Sequence, residues 1–239
     1  MKFVTISDTH RQHKKLDSIL PEADMIIHSG DMDITSINKA IEFLDWFSSL
    51  DYKYKIFIAG NHDKFLDESH SIGTSRKAKE ILFEKYPDVV YLEDSSVEIE
   101  GVKIYGSPYT PRFGTNWAFQ LTFDANDQML YQNYHNKIYP TSMSKWSQIP
   151  EDTDILITHG PPYGILDKVE AFYSPNINES VGDKILIEKI EEVNPKYHIF
   201  GHIHETAGDS KIRETHFINA SILNENYENW NREIKVWEI

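Results

Sequence analysis

Five short segments carry side chains able to grip a metal ion, and each follows an apolar run: Ser7-Asp8-Thr9-His10, Ser29-Gly30-Asp31, Gly60-Asn61-His62-Asp63, Thr158-His159-Gly160 and Gly201-His202-Ile203-His204. Carboxylate, amide and imidazole groups are donors suited to borderline divalent ions such as Mn, Fe, Zn, Co or Ni. The period-two spacing of Asp8-x-His10 and His202-x-His204 lets each pair grip one or two ions at the turn leaving a strand. Glycine beside Asp31, Asn61, His159 and His202 permits the close backbone approach that a crowded ligand set needs. One Asp or His at the end of a buried strand is ordinary. Its repetition at five strand ends is not explained by packing, because an unpaired buried charge costs several kcal/mol unless a metal or partner offsets it.

The elements that must position these residues are short apolar runs rich in β-branched residues: Phe3-Val4-Thr5-Ile6, Met25-Ile26-Ile27, Lys55-Ile56-Phe57-Ile58-Ala59, Ile155-Leu156-Ile157-Thr158 and Tyr197-His198-Ile199-Phe200. Each reads as a strand buried on both faces. Helical spacing of Ile37, Ala40, Ile41, Leu44 and Phe47, and of Ile187, Ile190 and Val193, places helices between strands, which implies an α/β sheet. In such sheets ligands bind beyond the carboxyl ends of the strands, so the five segments can converge on one crevice. Val97 to Gly106 reads as a hairpin turning at Glu100-Gly101, and Arg213 to Ile239 alternates enough to add strands. Residues 124–145, polar and without periodicity, read as an irregular, lid-like excursion. With no linker-like or repetitive tract, residues 1–239 read as a single domain.

Composition narrows the partners. The chain of 239 residues carries 24 Lys and Arg against 38 Asp and Glu, a formal charge of −14. That excess repels phosphate backbones and anionic membrane surfaces alike, so extended nucleic-acid tracking and membrane binding are not expected. There is no cysteine, which excludes disulfides, thiolate metal ligands and a thiol nucleophile. No stretch of about 18 apolar residues occurs and the N-terminal run is too short for a signal peptide, so a cytoplasmic protein is expected.

The order Asp-x-His, Gly-Asp, Gly-Asn-His-Asp, Thr-His-Gly, Gly-His-x-His resembles the calcineurin-like metallophosphoesterase superfamily. Ile58 to Asp63, Gly106-Ser107-Pro108-Tyr109, Pro111-Arg112-Phe113, Trp117-Ala118-Phe119, Ile155 to Asp167, Ile199 to Glu205 and Phe217 to Ser221 resemble its branch containing the mammalian brain-expressed metallophosphoesterase-domain proteins. The resemblance implies a four-layer αββα sandwich with two divalent ions, Mn²⁺ foremost, at the sheet edge. By motif position one ion is held by Asp8, His10, Asp31 and His204, the other by Asp31, Asn61, His159 and His202, with Asp31 bridging. It further implies attack on phosphorus by a metal-bridging hydroxide, with His62 as general acid. The superfamily's usual acidic partner for that histidine lies three residues after the Gly-Asp aspartate, where this chain has Ile34; Asp33, one residue earlier, is the candidate partner.

Weaker candidates surround this set. His13 is a candidate phosphate contact or a solvated histidine. Arg112 with Phe113, Trp117 and Phe119 can form a wall that clamps phosphate and stacks a base. Asp63 and Glu205 are candidate supports for neighbouring ligands. Tyr163 can reach substrate if the Pro161-Pro162 turn faces the pocket. The expected activity is hydrolysis of small phosphodiesters, cyclic nucleotides above all. The alternatives are a phosphomonoesterase, a nuclease or a non-catalytic scaffold.

Overall fold

The computed structural model describes residues 1–135, 138–169, 179–228 and 233–239. The first half runs β1 (Lys2–Ile6), β2 (Met25–His28), α1 (Ile37–Ser49), β3 (Tyr54–Phe57), α2 (Arg76–Phe83), β4 (Val89–Tyr91), β5 (Ser95–Ile99) and β6 (Val102–Ser107). There follow β7 (Thr110–Pro111), β8 (Gln120–Leu121), α3 (Ala125–His135), α4 (Ser142–Trp146) and β9 (Ile155–Thr158). The last stretch holds α5 (Lys184–Val193), β10 (Tyr197–Phe200), β11 (Gly208–Ile212), β12 (Thr215–Asn219) and β13 (Val236–Glu238).

These strands form two principal sheets, ordered β13-β1-β2-β3-β4 and β11-β12-β10-β9-β6-β5. Within them β1 to β4, and β6, β9, β10 and β12, pair in parallel, while β13, β5 and β11 add antiparallel edges. Alternation along each strand explains why the apolar runs are continuous. Phe3, Met25, Ile27 and Ile56 of one sheet meet Ile104, Ile155, Ile157, Ile199 and Ile218 of the other in one core between the sheets. Their neighbours point the opposite way. Val4, Ile26 and Phe57 pack under α1 through Phe43, Leu44 and Phe47, while Leu156, Phe200 and Phe217 pack under Leu186, Ile190 and Val193 of α5. The result is helix, sheet, sheet, helix: an α/β sandwich in which strands with two buried faces need no polar residue until they end.

The hairpin forms with Glu100 and Gly101 both at positive φ, 51° and 80°, the twist that a two-residue turn between right-handed strands requires. The expected lid-like excursion is different. Residues 125–135 are helical, because Asp124 Oδ1 accepts from the backbone N–H groups of Asn126 and Asp127 while Asp127 Oδ2 accepts from the N–H of Phe123. This reciprocal cap starts a helix whose apolar residues Met129 and Leu130 remain exposed, so no periodic stripe marks it in the sequence. Residues 136–137 lie outside the described residues. Among the described residues no helix is long and apolar enough to cross a membrane.

His13 is neither solvated nor at a phosphate site. It opens a single 3₁₀ turn, His13–Leu16, whose Leu16 is drawn into the α1 core. Its ring packs against Trp46, 4.7 Å between centroids, and Phe43, 5.7 Å. Burial pulls its pKa down to about 4 and does the same to His28 and His198, each to about 3. The folded protein therefore holds these rings neutral, whereas the unfolded chain protonates them below about 6.5. Stability is lost as pH falls from 6.5 towards 4, by at most about 1.4 kcal/mol per pH unit for each ring. In urea titrations at pH 7 and pH 5, His13→Phe is expected to be favoured over the wild type by about 2 kcal/mol more at pH 5 than at pH 7. An equal difference at both values would contradict a neutral buried ring.

Candidate metal centre

The carboxyl ends of β1, β2, β3, β9 and β10 meet at one edge of the sandwich, where a bridge between Ser7 and Ser221 ties the two sheets together. Asp8, His10 and His204 form one cluster there, with one ligand atom from each lying within 4.8 Å of the others, and Asp31, His159 and His202 form a second. Asn61 joins the second through Oδ1, 2.9 Å from His159 Nε2. His10, Asp31 and His62 form a third grouping between them. All seven proposed ligands and His62 are thus brought to one place, with His10 meeting His204 across 194 residues of sequence.

The backbone bends sharply to do this. Asp8, His10, Asp31, Asp33 and His202 all adopt positive φ, between 40° and 70°, a conformation that costs non-glycine residues of order 1 kcal/mol each. Hydrogen bonds from Asp8 N–H to the Gly30 carbonyl (2.9 Å) and from His10 N–H to the Asp31 carbonyl (3.1 Å) hold the first two loops against each other. Glycine matters most at Gly60 and Gly201, where a Cβ would collide with the Asp31 and Asp8 carboxylates. Asp63 supports the same region as expected: its buried carboxylate accepts four backbone N–H groups, from Asp31, Met32, Ile34 and Gly60, at 2.8 to 3.1 Å.

The histidine orientations suit cations. His204 Nδ1 donates to the Asn224 carbonyl and His159 Nδ1 to the Ser29 carbonyl, each at 2.9 Å. A carbonyl can only accept, so the proton of each neutral ring sits on Nδ1 and the Nε2 lone pair faces inward. There His204 Nε2 meets His10 Nε2 and Asp8 Oδ1, both at 3.4 Å, and His159 Nε2 meets Asp31 Oδ1 at 3.3 Å. Lone pairs facing lone pairs require a proton or a metal ion between them. With bonds of about 2.1 Å, adjacent ligands of a divalent ion lie about 3.0 Å apart in octahedral and 3.4 Å in tetrahedral geometry. The spacings here fit.

Charge is arranged to the same end. Burial pushes the Asp8 and Asp31 carboxyls up, but His204 at Asp8, and His159 with His62 at Asp31, outweigh it and hold both well below the usual carboxylate range. Burial pulls the imidazoles down, yet Asp31 raises His159 and Asp8 raises His204, each to about 9. His202, whose burial is not offset, falls to about 3 and stays neutral.

His62 differs from the ligands. Its Nδ1 lies 2.8 Å from Asp33 Oδ1, and its Nε2 points inward, 3.9 Å from Asp31 Oδ2. The same Asp33 oxygen is 3.4 Å from His10 Nδ1. Ile34, at the expected acidic position, is buried in the α1 core. A cleft of about 600 Å³ opens over the centre. Trp117 packs on His62 at 4.5 Å and on Phe113 at 5.8 Å, and Phe113 reaches His202 at 5.0 Å. Arg112 and Glu205 also line it. Phe119 does not belong to this wall; it is buried against Tyr109. Tyr163 and His13 lie outside the cleft lining. Sequence reasoning passed over Tyr227, which lines the cleft and covers the His10 and His204 rings at 4.3 and 5.0 Å, and Asn224, whose carbonyl holds His204. Their only signal was an aromatic residue in an Asn- and Glu-rich tail.

The sequence pattern of the calcineurin-like phosphoesterases matches residues 1–206. The chain belongs to that family. Human metallophosphoesterase domain-containing protein 1 is 35% identical over 243 residues, spanning 95% of this chain and 68% of its own. UPF0046 protein K07C11.7 of Caenorhabditis elegans is 33% identical over 230 residues, spanning 94% of this chain and 70% of its own. Phosphopantetheinyl hydrolase from Mycobacterium tuberculosis shares the fold, with a TM-score of 0.59 at 13% identity over 99% of this chain and 95% of its own. Membership makes this chain a metal-dependent phosphoesterase by family, and the donor clusters are where divalent ions fit.

Two measurements test the centre. Because His159 and His204 carry protons at neutral pH when no metal is bound, loading at pH 7 is expected to release about two protons per chain, and affinity is expected to weaken as pH falls. A pH indicator in weak buffer reads this; no release would contradict ligation through these rings. Asp31→Asn is expected to reduce bound metal at both positions, and two full equivalents by elemental analysis would contradict a shared carboxylate.

Proposed function

We propose that the protein hydrolyses small phosphodiesters, cyclic nucleotides among them, at the paired clusters around Asp31. One ion would be held by Asp8, His10, Asp31 and His204 and the other by Asp31, Asn61, His159 and His202, with Mn²⁺ the first pair to test. When bound, two such ions activate water and stabilise the oxygens of an in-line displacement at phosphorus. The single observation that carries the reading is the Asp31 carboxylate, buried between two converging donor sets and facing His62 across 3.9 Å.

His62 is the proton donor in this reading. Burial lowers its pKa, but Asp31 and then Asp33 outweigh that and raise it above the usual histidine value, which favours the charged, proton-donating form. Asp33 accepts from Nδ1 and thereby aims the Nε2 proton into the cleft, towards an oxygen leaving phosphorus. Water adds to phosphorus and gives up a proton to solvent, one P–O ester bond breaks, the departing alkoxide takes the Nε2 proton as it forms, and solvent restores the proton to His62. Trp117 packs on the imidazole and limits its rotation. Arg112 supplies a planar cation for a non-bridging phosphate oxygen, and Phe113, Trp117 and Tyr227 offer faces on which a base can stack. The −14 charge of the chain favours a compact substrate over an extended polyanion.

The Mn²⁺-loaded protein is expected to cleave bis-p-nitrophenyl phosphate and 2′,3′- or 3′,5′-cyclic nucleotides faster than phosphomonoesters; failure with every divalent metal rejects the reading. His62→Asn is expected to lower kcat on nucleotide substrates by roughly 10²-fold or more while leaving p-nitrophenoxide release, which needs no proton, much less affected. Asp33→Asn is expected to move the high-pH limb of the kcat profile downward, because it removes a carboxylate that keeps His62 charged. An unmoved limb would exclude Asp33 as the positioning residue.

A further inference from the structure

Beside the metal-centre cleft lies a second, smaller chamber of about 320 Å³. The two share Pro111, Arg112 and Val181 as their partition. Pro161 lines the first space and Tyr163 the second, so the turn that follows His159 passes from one to the other within about 7 Å of chain. Arg112 is set in this partition by its N–H, which donates to the Leu121 carbonyl, and its guanidinium approaches Asp127 at 4.0 Å. An arm attached to a phosphate beside Arg112 therefore has a second place to go.

The chamber is built to hold an organic group and not another phosphate. Leu121, Phe123 and Val181 give it apolar and aromatic walls, and Tyr163 carries Lys184 Nζ 4.9 Å above its ring. Among the described residues its formal charges are two cations, Arg112 and Lys184, against three carboxylates, Asp127, Glu179 and Asp183. Asp183 is already committed: one oxygen accepts the first N–H groups of α5, and the other accepts from Ser142 Oγ and Trp146 Nε1. The described lining therefore offers no surplus of positive charge to a second anion. The volume lies at the small end of ligand sites, enough for one ring-sized group.

We propose that this chamber is a subsite for the second organic arm of an acyclic phosphodiester, a neutral ring system such as a nucleoside. The inference rests on the phosphodiesterase reading above and refines its substrate: a cyclic nucleotide has one organic arm and leaves the chamber empty, whereas a diester joining two nucleosides fills both spaces. Hydrolysis adds water across one P–O bond and yields a phosphomonoester bearing one arm and an alcohol bearing the other.

The test compares a dinucleoside monophosphate, adenylyl-(3′→5′)-adenosine, with 3′,5′-cyclic AMP on the metal-loaded protein. The expected kcat/KM ratio favours the dinucleoside by about tenfold or more. Ser180→Trp, which narrows the chamber alone, and Phe123→Ala, which removes an exposed wall at no cost to the core, are each expected to lower that ratio at least fivefold. A second readout needs no turnover: adenosine is expected to shift the methyl NMR signals of Leu121, which lines only the smaller chamber, and Ser180→Trp is expected to abolish the shift. A ratio unmoved by both variants, or silent Leu121 methyls, overturns the proposal. Absence of all hydrolysis with any metal rejects the phosphodiesterase reading, and the methyl signals then decide the chamber by themselves.

Discussion

Two buried carboxylates, Asp8 and Asp31, set the problem that the rest of the structure solves. Both sit where the two sheets meet, with essentially no access to solvent, and a carboxylate in that position is tolerable only with positive charge and hydrogen-bond donors around it. The protein supplies both from across the chain. Ser221 and the N–H of His202 donate to Asp8, the N–H of His62 donates to Asp31, and imidazoles from the second sheet face each acid. Sheet packing and site assembly are therefore one event, since the acids belong to the first sheet and most of the imidazoles to the second.

Asp63 shows how the loops themselves are fixed. A carboxylate that takes four backbone N–H groups from two loops acts as a rivet between the segments after β2 and β3. It holds Asp31 and Asn61 in fixed relation, and it does so from below the centre, where no substrate reaches. The left-handed backbone at five positions of the site persists because such contacts over-determine it.

The α/β fold and the meeting of the donor-bearing loops were legible in the sequence because each donor is fused to the strand that carries it. A continuous apolar run ending in Asp, Asn or His announces both the buried strand and the polar edge at once. What was not legible came from residues whose role depends on a distant partner. His13 looked polar in its Arg- and Lys-rich neighbourhood, yet Trp46 and Phe43 enclose it. The helix at 125–135 depends on a cap formed by two aspartates and not on an apolar stripe. Asp33 meets His62 although the family spacing points to Ile34, because its own positive φ swings the carboxylate back to the histidine. Tyr227 shows only as an aromatic residue in a polar tail, and the chamber behind Arg112 is assembled from pieces with no local signature.

The Asn224 carbonyl, which fixes the tautomer of His204, has a consequence for how the protein is made. During translation at about 5–20 residues per second, Asp8 leaves the ribosome some tens of seconds before His204 and Asn224 do. Throughout that interval the two early acids lack the donors that residues 202–221 bring to them. Each of the two donor clusters draws an imidazole from Gly201-His202-Ile203-His204, so neither can close before that segment has joined the others.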